Sequence, residues 1–232
     1  MTQCVLAVPG SLHDGVTISL DDAELHHLRV RRIGAGGEVL VLDGAGCSAH
    51  GTVVSDGVAI GVVQHAPQPP STTLAVGAGD KDRFLLLAER CTELGVTRLI
   101  PVETERSRAV DAHVRGSVVE RARRRAREAC KQSGSPWATV VEEPCELAEL
   151  SRRHAGVRWL LGEQDGGPCP ALAPDVAVGW IIGPEGGLTP TETEYCQVGL
   201  AAESVSFGPA ILRFDTAAIA AGVLTQDRRR AV

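Results

Sequence analysis

From residue 73 onward the chain alternates short apolar runs with stretches of helical period, and this alternation limits its second part to an α/β architecture. Strands are expected at 73–76, 98–102, 139–141, 157–161, 176–182 and 204–207. Helices are expected at 81–94 and 114–132, near 145–154, from Pro190, and from the region of Asp215 and Thr216 to about Gln226. Such an order predicts a mainly parallel sheet with helices on both faces. Aromatic residues make up only 3% of the chain and Met occurs once, so the core must be built from Val, Leu, Ile and Ala.

The first part reads differently. Short strands at 16–20, 38–42 and 49–54, the last continuing to 59–63, are punctuated by Gly34, Gly36, Gly37, Gly44, Gly46 and Gly57, which predicts a small β barrel or sandwich. Asp21, Asp22 and Glu24 precede Leu25 and Leu28, an acidic first turn that suits a helix start. The proline-rich stretch 67–71 lacks periodic apolar residues and reads as a linker. Two domains are therefore expected, at 1–69 and 70–232.

Seven cysteines, with no Cys-x-x-Cys pair and no histidine at zinc-ligand spacing, argue against a disulfide framework and against a metal site. The N-terminus has neither a basic start nor a long apolar run, and no stretch reaches membrane-span length. A soluble cytoplasmic protein, without membrane or metal partners, is expected. The net charge of -6 argues against coating nucleic acid by bulk electrostatics, yet a local basic tract exists. Arg121, Arg123, Arg124, Arg125 and Arg127 are opposed there only by Glu120 and Glu128. The tract suits a solvated helix face with pairs such as Glu120 and Arg124, or phosphate contact.

The strongest motif follows the apolar strand 176–182. Gly183, Pro184, Glu185, Gly186 and Gly187 form a loop, after which Thr189 as N-cap, Pro190 at N1 and Glu192 at N3 complete a capping box. A glycine loop between a strand's carboxyl end and a helix start lies where open α/β sheets bind ligands. A second such loop follows strand 204–207, with Gly208, Pro209, Ala210, Ile211, Leu212 and Arg213. A third is expected after strand 157–161, from Gly162 to Gly167. Should the three strands be neighbours, their loops converge on one crevice. Gly77 and Gly79, with Glu103 ending the next strand, form part of a dinucleotide fingerprint, which leaves a Rossmann-type nucleotide-binding enzyme as an alternative.

The strings IIGPEGGLTPTETE (181–194), FGPAILRFDTAAIAA (207–221), LAERCTELGVTRLIPVETERS (87–107) and AREACKQSG (126–134) closely resemble the RsmE family, which methylates N3 of a uridine in 16S ribosomal RNA. HHLRVRRIGAGGEVLVLDGAG (26–46) is similar to that family's PUA-like RNA-binding barrel. The resemblance implies a SPOUT-class C-terminal domain with a trefoil knot, S-adenosylmethionine as cofactor, a homodimer, and 16S RNA or the assembled small subunit as substrate. The implied cofactor residues are Leu161, Gly162, Gly183, Pro184, Glu185, Gly186, Gly187, Phe207, Gly208, Ile211 and Leu212.

Arg213 is the expected stabiliser of a uracil anion, because a guanidinium is a rigid donor fork that stays charged. Glu185 is expected to orient the substrate or to assist proton removal, with Asp215 in reserve. A phosphate contact or a salt bridge at the helix start is the plainer role for Arg213. Arg29, Arg31, Arg32, Arg83, Arg106, Arg124 and Arg127 are the expected RNA contacts. The chain departs from the family pattern at Arg83 (usually Lys), Ser135 (usually Arg), Phe214 (usually Thr) and Asp215 (usually Glu). A non-catalytic RNA-binding protein of ribosome assembly is the remaining alternative.

Overall fold

The computed structural model describes residues 3–55, 57–77, 79–107 and 114–230. The chain divides into two compact units. One comprises Met1–Gln68 with Arg127–Ala138, the other Pro69–Ala126 with Thr139–Val232.

The first unit holds a five-stranded sheet in the order β1-β3-β4-β5-β2. Its strands are β1 (Gln3–Leu6), β2 (Thr17–Ile18), β3 (Glu38–Leu42), β4 (Cys47–Val54) and β5 (Gly57–His65), with helix α1 at Asp22–Val30. β1 runs parallel to β3, and the other pairings are antiparallel. Period-2 alternation turns Val39 and Val41 of β3, and Ala49 and Val53 of β4, into a core shared with Val5 and Leu28. The Asp21 carboxylate caps α1 by accepting from the Glu24 amide at 2.8 Å. The returning segment 127–138 is held by polar contacts: Lys131 pairs with buried Glu24, Arg127 donates to the Ala7 carbonyl, and the Trp137 indole donates to the Pro67 carbonyl. The Trp137 ring lies where a Cβ on Gly46 would stand, so this contact requires glycine at 46.

The second unit carries a seven-stranded sheet whose main path is β12-β10-β11-β6-β7-β8, with β9 paired to β7. The strands are β6 (Thr72–Val76), β7 (Arg98–Glu103), β8 (Val140–Val141), β9 (Cys145–Glu146), β10 (Arg158–Gly167), β11 (Val178–Ile182) and β12 (Glu203–Val205). All of their pairings are parallel. The helices are α2 (Lys81–Glu93), α3 (Ser117–Ser133, of which the residues to Ala126 belong here), α4 (Leu150–Arg153), α5 (Pro190–Glu194) and α6 (Phe214–Arg230).

The strand alternation sorts the core into two layers. Leu74, Val76, Leu99, Leu160, Trp180 and Ile182 pack with α2, α3 and α6 on one face. Ala75, Ile100, Leu161 and Ile181 pack with Leu147, Leu150 and Cys196 on the other. Central β11 is buried at every position, as a strand covered on both faces must be. Gly179 leaves room there for the Trp159 ring on β10, and buried Trp180 finds its polar partner in Thr225 of α6 at 2.8 Å.

Sequence and structure differ in several elements. The stretch near 145–154 is not one helix: Cys145–Glu146 pairs with Val102–Glu103 as a strand, and a 3-10 turn at Leu147–Glu149 precedes the four-residue α4. The helix from Pro190 changes after Glu194 into a π turn, Tyr195–Gly199, where a Cβ on Gly199 would touch the Tyr195 ring. The strand expected at 157–161 continues to Gly167. Gly162 and Gly167 both register with Val205, so the intervening residues form a bulge within β10 rather than a loop after it.

The amino ends of the strands are held from α6. Buried Arg229 donates to the carbonyls of Pro70 at 3.2 Å, Ser71 at 2.7 Å and Val176 at 2.9 Å, and to the Thr72 hydroxyl at 2.6 Å. Arg229→Ala removes this donor from the Pro70 and Val176 carbonyls, while Ser71 keeps the Val178 amide, and hydrogen bonds to a charged donor contribute about 1.5–3 kcal/mol each at most. A loss of about 3 kcal/mol is expected, read as a reduced urea midpoint with an unchanged slope. A midpoint equal to the parent's would show that water replaces the guanidinium without cost.

All seven cysteines are free, and among the described residues no helix is long and apolar enough to cross a membrane.

Candidate active site

β12, β10 and β11 are consecutive in the sheet, so their carboxyl ends stand side by side. There they enclose a cleft of about 360 Å³, lined by Gly162–Asp165 of the β10 bulge, residues 182–188 after β11, and Phe207, Gly208, Ala210, Ile211 and Leu212 after β12. Phe214 and Ala217 of α6 close its inner side. The convergence expected from the glycine motifs is therefore present, with one of the three contributors a bulge.

Each wall has a local cause. Gly187 closes a turn by donating to the Pro184 carbonyl at 2.7 Å, and its φ of 70° is the one left-handed conformation in the loop 183–187. Gly183 is tightly surrounded but not obligatory, since a Cβ would stand 3.2 Å from the Leu188 amide, a contact relieved by a small shift. Gly186 is required by neither, because its nearest neighbour would be the Arg106 side chain at ordinary contact distance. The turn thus accounts for one of its three glycines and leaves open backbone beside the cleft. Downstream, Thr189 accepts from the Glu192 amide and Glu192 from the Thr189 amide, the capping box expected from sequence. Glu192 also accepts from the Glu105 amide at 2.7 Å, which ties the start of α5 to the end of β7.

Gly77 and Gly79 belong to the same construction. The Gly77 amide donates to the Ile182 carbonyl at 2.8 Å, and a Cβ on Gly77 would stand 2.7 Å from Pro184 Cδ and 3.0 Å from Pro184 N. A Cβ on Gly79 would strike the Glu185 carboxylate. Asp80 then caps α2, accepting from the amides of Asp82 and Arg83. The glycines that looked like a dinucleotide fingerprint are those on which the 183–187 turn rests.

On the opposite wall, Gln164 reaches across to the Pro209 carbonyl at 3.3 Å, and Phe207 is anchored on Trp180 with ring centres 5.3 Å apart. A Cβ on Gly166 would stand 2.5 Å from Val205 backbone, which explains the glycine in the bulge. Burial, reinforced by neighbouring Asp165, pushes the Glu163 carboxyl above its ordinary value. Sequence reading placed Glu163, Gln164 and Asp165 in a loop converging on the crevice, without naming them individually as site residues. Their signal was a glycine-flanked polar run directly after an apolar strand.

Leu161 lies fully buried in the core beneath the cleft and does not line it. Glu185 lines the cleft, whereas Arg213 is exposed next to the lining residue Leu212 and is not itself part of the wall. Asp215 pairs with Arg83 at 3.3 Å. These are two of the positions that depart from the resembled pattern, and here the longer base reaches the shorter acid. Arg106 donates to the Gly186 carbonyl at 2.5 Å, fixing the outer side of the loop.

Along α3, Arg123 pairs with Glu120 and Glu143, and Arg125 with Glu89. The Glu120 to Arg124 pair considered from sequence is not formed: among the described residues, Arg121 and Arg124 are exposed and in no ion pair. In the first unit Arg29, Arg31 and Arg32 are exposed at the end of α1, with Arg32 in the left-handed region at φ 57°.

A family model described as an RNA methyltransferase domain matches residues 66–226. The chain is 30% identical to the ribosomal RNA small subunit methyltransferase E of Synechocystis, over 87% of this chain and 70% of that one. A crystal structure of a ribosomal RNA small subunit methyltransferase E from Neisseria gonorrhoeae, bound to S-adenosyl methionine, aligns with a TM-score of 0.83, 25% identity and 98% coverage of both chains. A Legionella pneumophila structure in complex with SAM shares the fold at a TM-score of 0.82, 24% identity and 98% coverage of both chains. The cleft is built almost wholly from the matched segment, in an α/β fold with a preceding β unit of the SPOUT type, and the chain belongs to the ribosomal RNA small subunit methyltransferase E family of RNA methyltransferases.

Proposed function

We propose that this chain methylates N3 of a uridine in 16S ribosomal RNA, using S-adenosylmethionine held in the cleft at the ends of β10, β11 and β12. The observation that carries this reading is the junction itself: two backbone loops and a bulge meet around a cleft with both apolar and polar walls. Ile182, Leu188 and Leu212 offer apolar surface to an adenine ring, and the uncrowded backbone at Gly186, whose carbonyl is held by Arg106, offers its amide to the ring's polar edge. S-adenosylmethionine supplies an electrophilic methyl on a sulfonium. The methyl's bond to sulfur breaks as its bond to uracil N3 forms, the sulfur keeps the electron pair, and the N3 proton leaves to a base.

Arg213 meets the RNA base rather than the cofactor, a reading supported by its exposure next to the cleft and outside its wall. Its guanidinium stabilises the uracil anion through a carbonyl oxygen. Glu185 orients the base or receives its proton. Asp215 is held by Arg83, so the pair supports the start of α6.

Exposed Arg29, Arg31 and Arg32 of the 1–69 RNA-binding domain contact RNA phosphates, and exposed Arg121 and Arg124 on α3 do so separately. The domain 70–232 performs the transfer, as a homodimer in the cytoplasm and without a metal. Each phosphate contact releases counterions, so RNA affinity should fall at least tenfold between about 50 and 200 mM salt. A flat response in a filter-binding titration removes the arginines from that role. The reaction itself is tested by nucleoside mass spectrometry of 16S RNA from cells with and without the gene. Loss of 3-methyluridine supports the reading, and its persistence alongside loss of another methylated nucleoside redirects it.

A further inference from the structure

The cleft has a pronounced charge asymmetry. Glu163, Asp165 and Glu185 line it, and among the described residues no Lys, Arg or His does. None of these carboxylates enters an ion pair among the described residues, although Arg106 and Arg213 stand close by on the outside. Gln164, between the first two, is tied to the Pro209 carbonyl, which holds the bulge against the opposite loop. An uncompensated acidic lining disfavours anionic ligands, including a dinucleotide's pyrophosphate, and favours a ligand with net positive charge.

Resting on the methyl-donor reading above, we propose that Glu163 and Asp165 are specificity residues that make the cleft prefer the cationic donor over the spent product. S-adenosylmethionine carries a sulfonium, an ammonium and a carboxylate, a net charge of about +1 at neutral pH. Once the methyl has left, the sulfur is a neutral thioether and S-adenosylhomocysteine has no net charge. Two ligands of nearly equal shape thus differ by a unit charge. A carboxylate several ångströms away in a partly hydrated cleft separates them by about fivefold in affinity. The same carboxylates that hold the donor lose their attraction once transfer is complete, which favours exchange of product for fresh donor.

The test uses calorimetry with three probes: S-adenosylmethionine, S-adenosylhomocysteine, and sinefungin, a cationic analogue with an amine-bearing carbon in place of the sulfonium. Glu163→Gln and Asp165→Asn, singly and together, should weaken S-adenosylmethionine and sinefungin about five- to tenfold while leaving S-adenosylhomocysteine within about twofold. Equal weakening of all three probes, or of none, overturns the proposal, since a merely structural role ignores ligand charge. Asp165 is exposed, so its variant keeps the test open should Glu163→Gln fold poorly. Failure of the parent protein to bind any probe strikes the methyl-donor reading instead.

Discussion

Arg213→Ala should lower kcat by about two to three orders of magnitude while leaving S-adenosylmethionine affinity within a few fold. The magnitude is that of removing one donor aimed at developing negative charge. The separation of the two effects follows from placement: Leu212 lines the cleft proposed for the cofactor, but the Arg213 side chain does not. Single-turnover methylation of 16S RNA, with cofactor binding measured in parallel, decides the matter. Normal turnover at saturating RNA, with only RNA affinity reduced, would falsify the catalytic role and leave Arg213 as a phosphate contact.

Gly77→Val is expected to abolish measurable cofactor binding although residue 77 is outside the cleft wall. Its new Cβ must displace Pro184, whose ring and backbone nitrogen have no rotamer to retreat into, and the 183–187 turn moves with it. Gly79→Val is the internal control. It meets the end of a flexible carboxylate that can swing away, so a loss of no more than about tenfold is expected. Calorimetry on both variants, with circular dichroism to establish folding, makes the comparison. Equal binding by the folded Gly77→Val variant and its parent refutes the coupling between the β6 and β11 ends. A larger loss at Gly79 than at Gly77 would restore a nucleotide-fingerprint role.

These results bear on what a sequence reveals. Apolar runs located β6, β7 and β11 to within two residues, because strands buried on both faces have little choice of side chain. The capping box at Thr189 and Glu192 was legible to the atom, since it is made by residues three apart. Features that depend on distant partners were not. The bulge in β10 has no pattern of its own and exists because Gly166 presses on Val205 backbone. The return of 127–138 to the first unit is fixed by Glu24, Ala7 and Gly46, all more than eighty residues earlier. The Gly77 and Gly79 motif resembles a nucleotide fingerprint because a glycine making room for Pro184 or for the Glu185 carboxylate looks the same in sequence as one making room for a phosphate.

The Arg229 clamp sets a timetable for biosynthesis. Pro70 and Val176 emerge from the ribosome well before the side chain that donates to their carbonyls, so these carbonyls stay hydrated until residue 229 follows. A nascent chain halted short of that arginine should be cut by proteases faster than one that includes it.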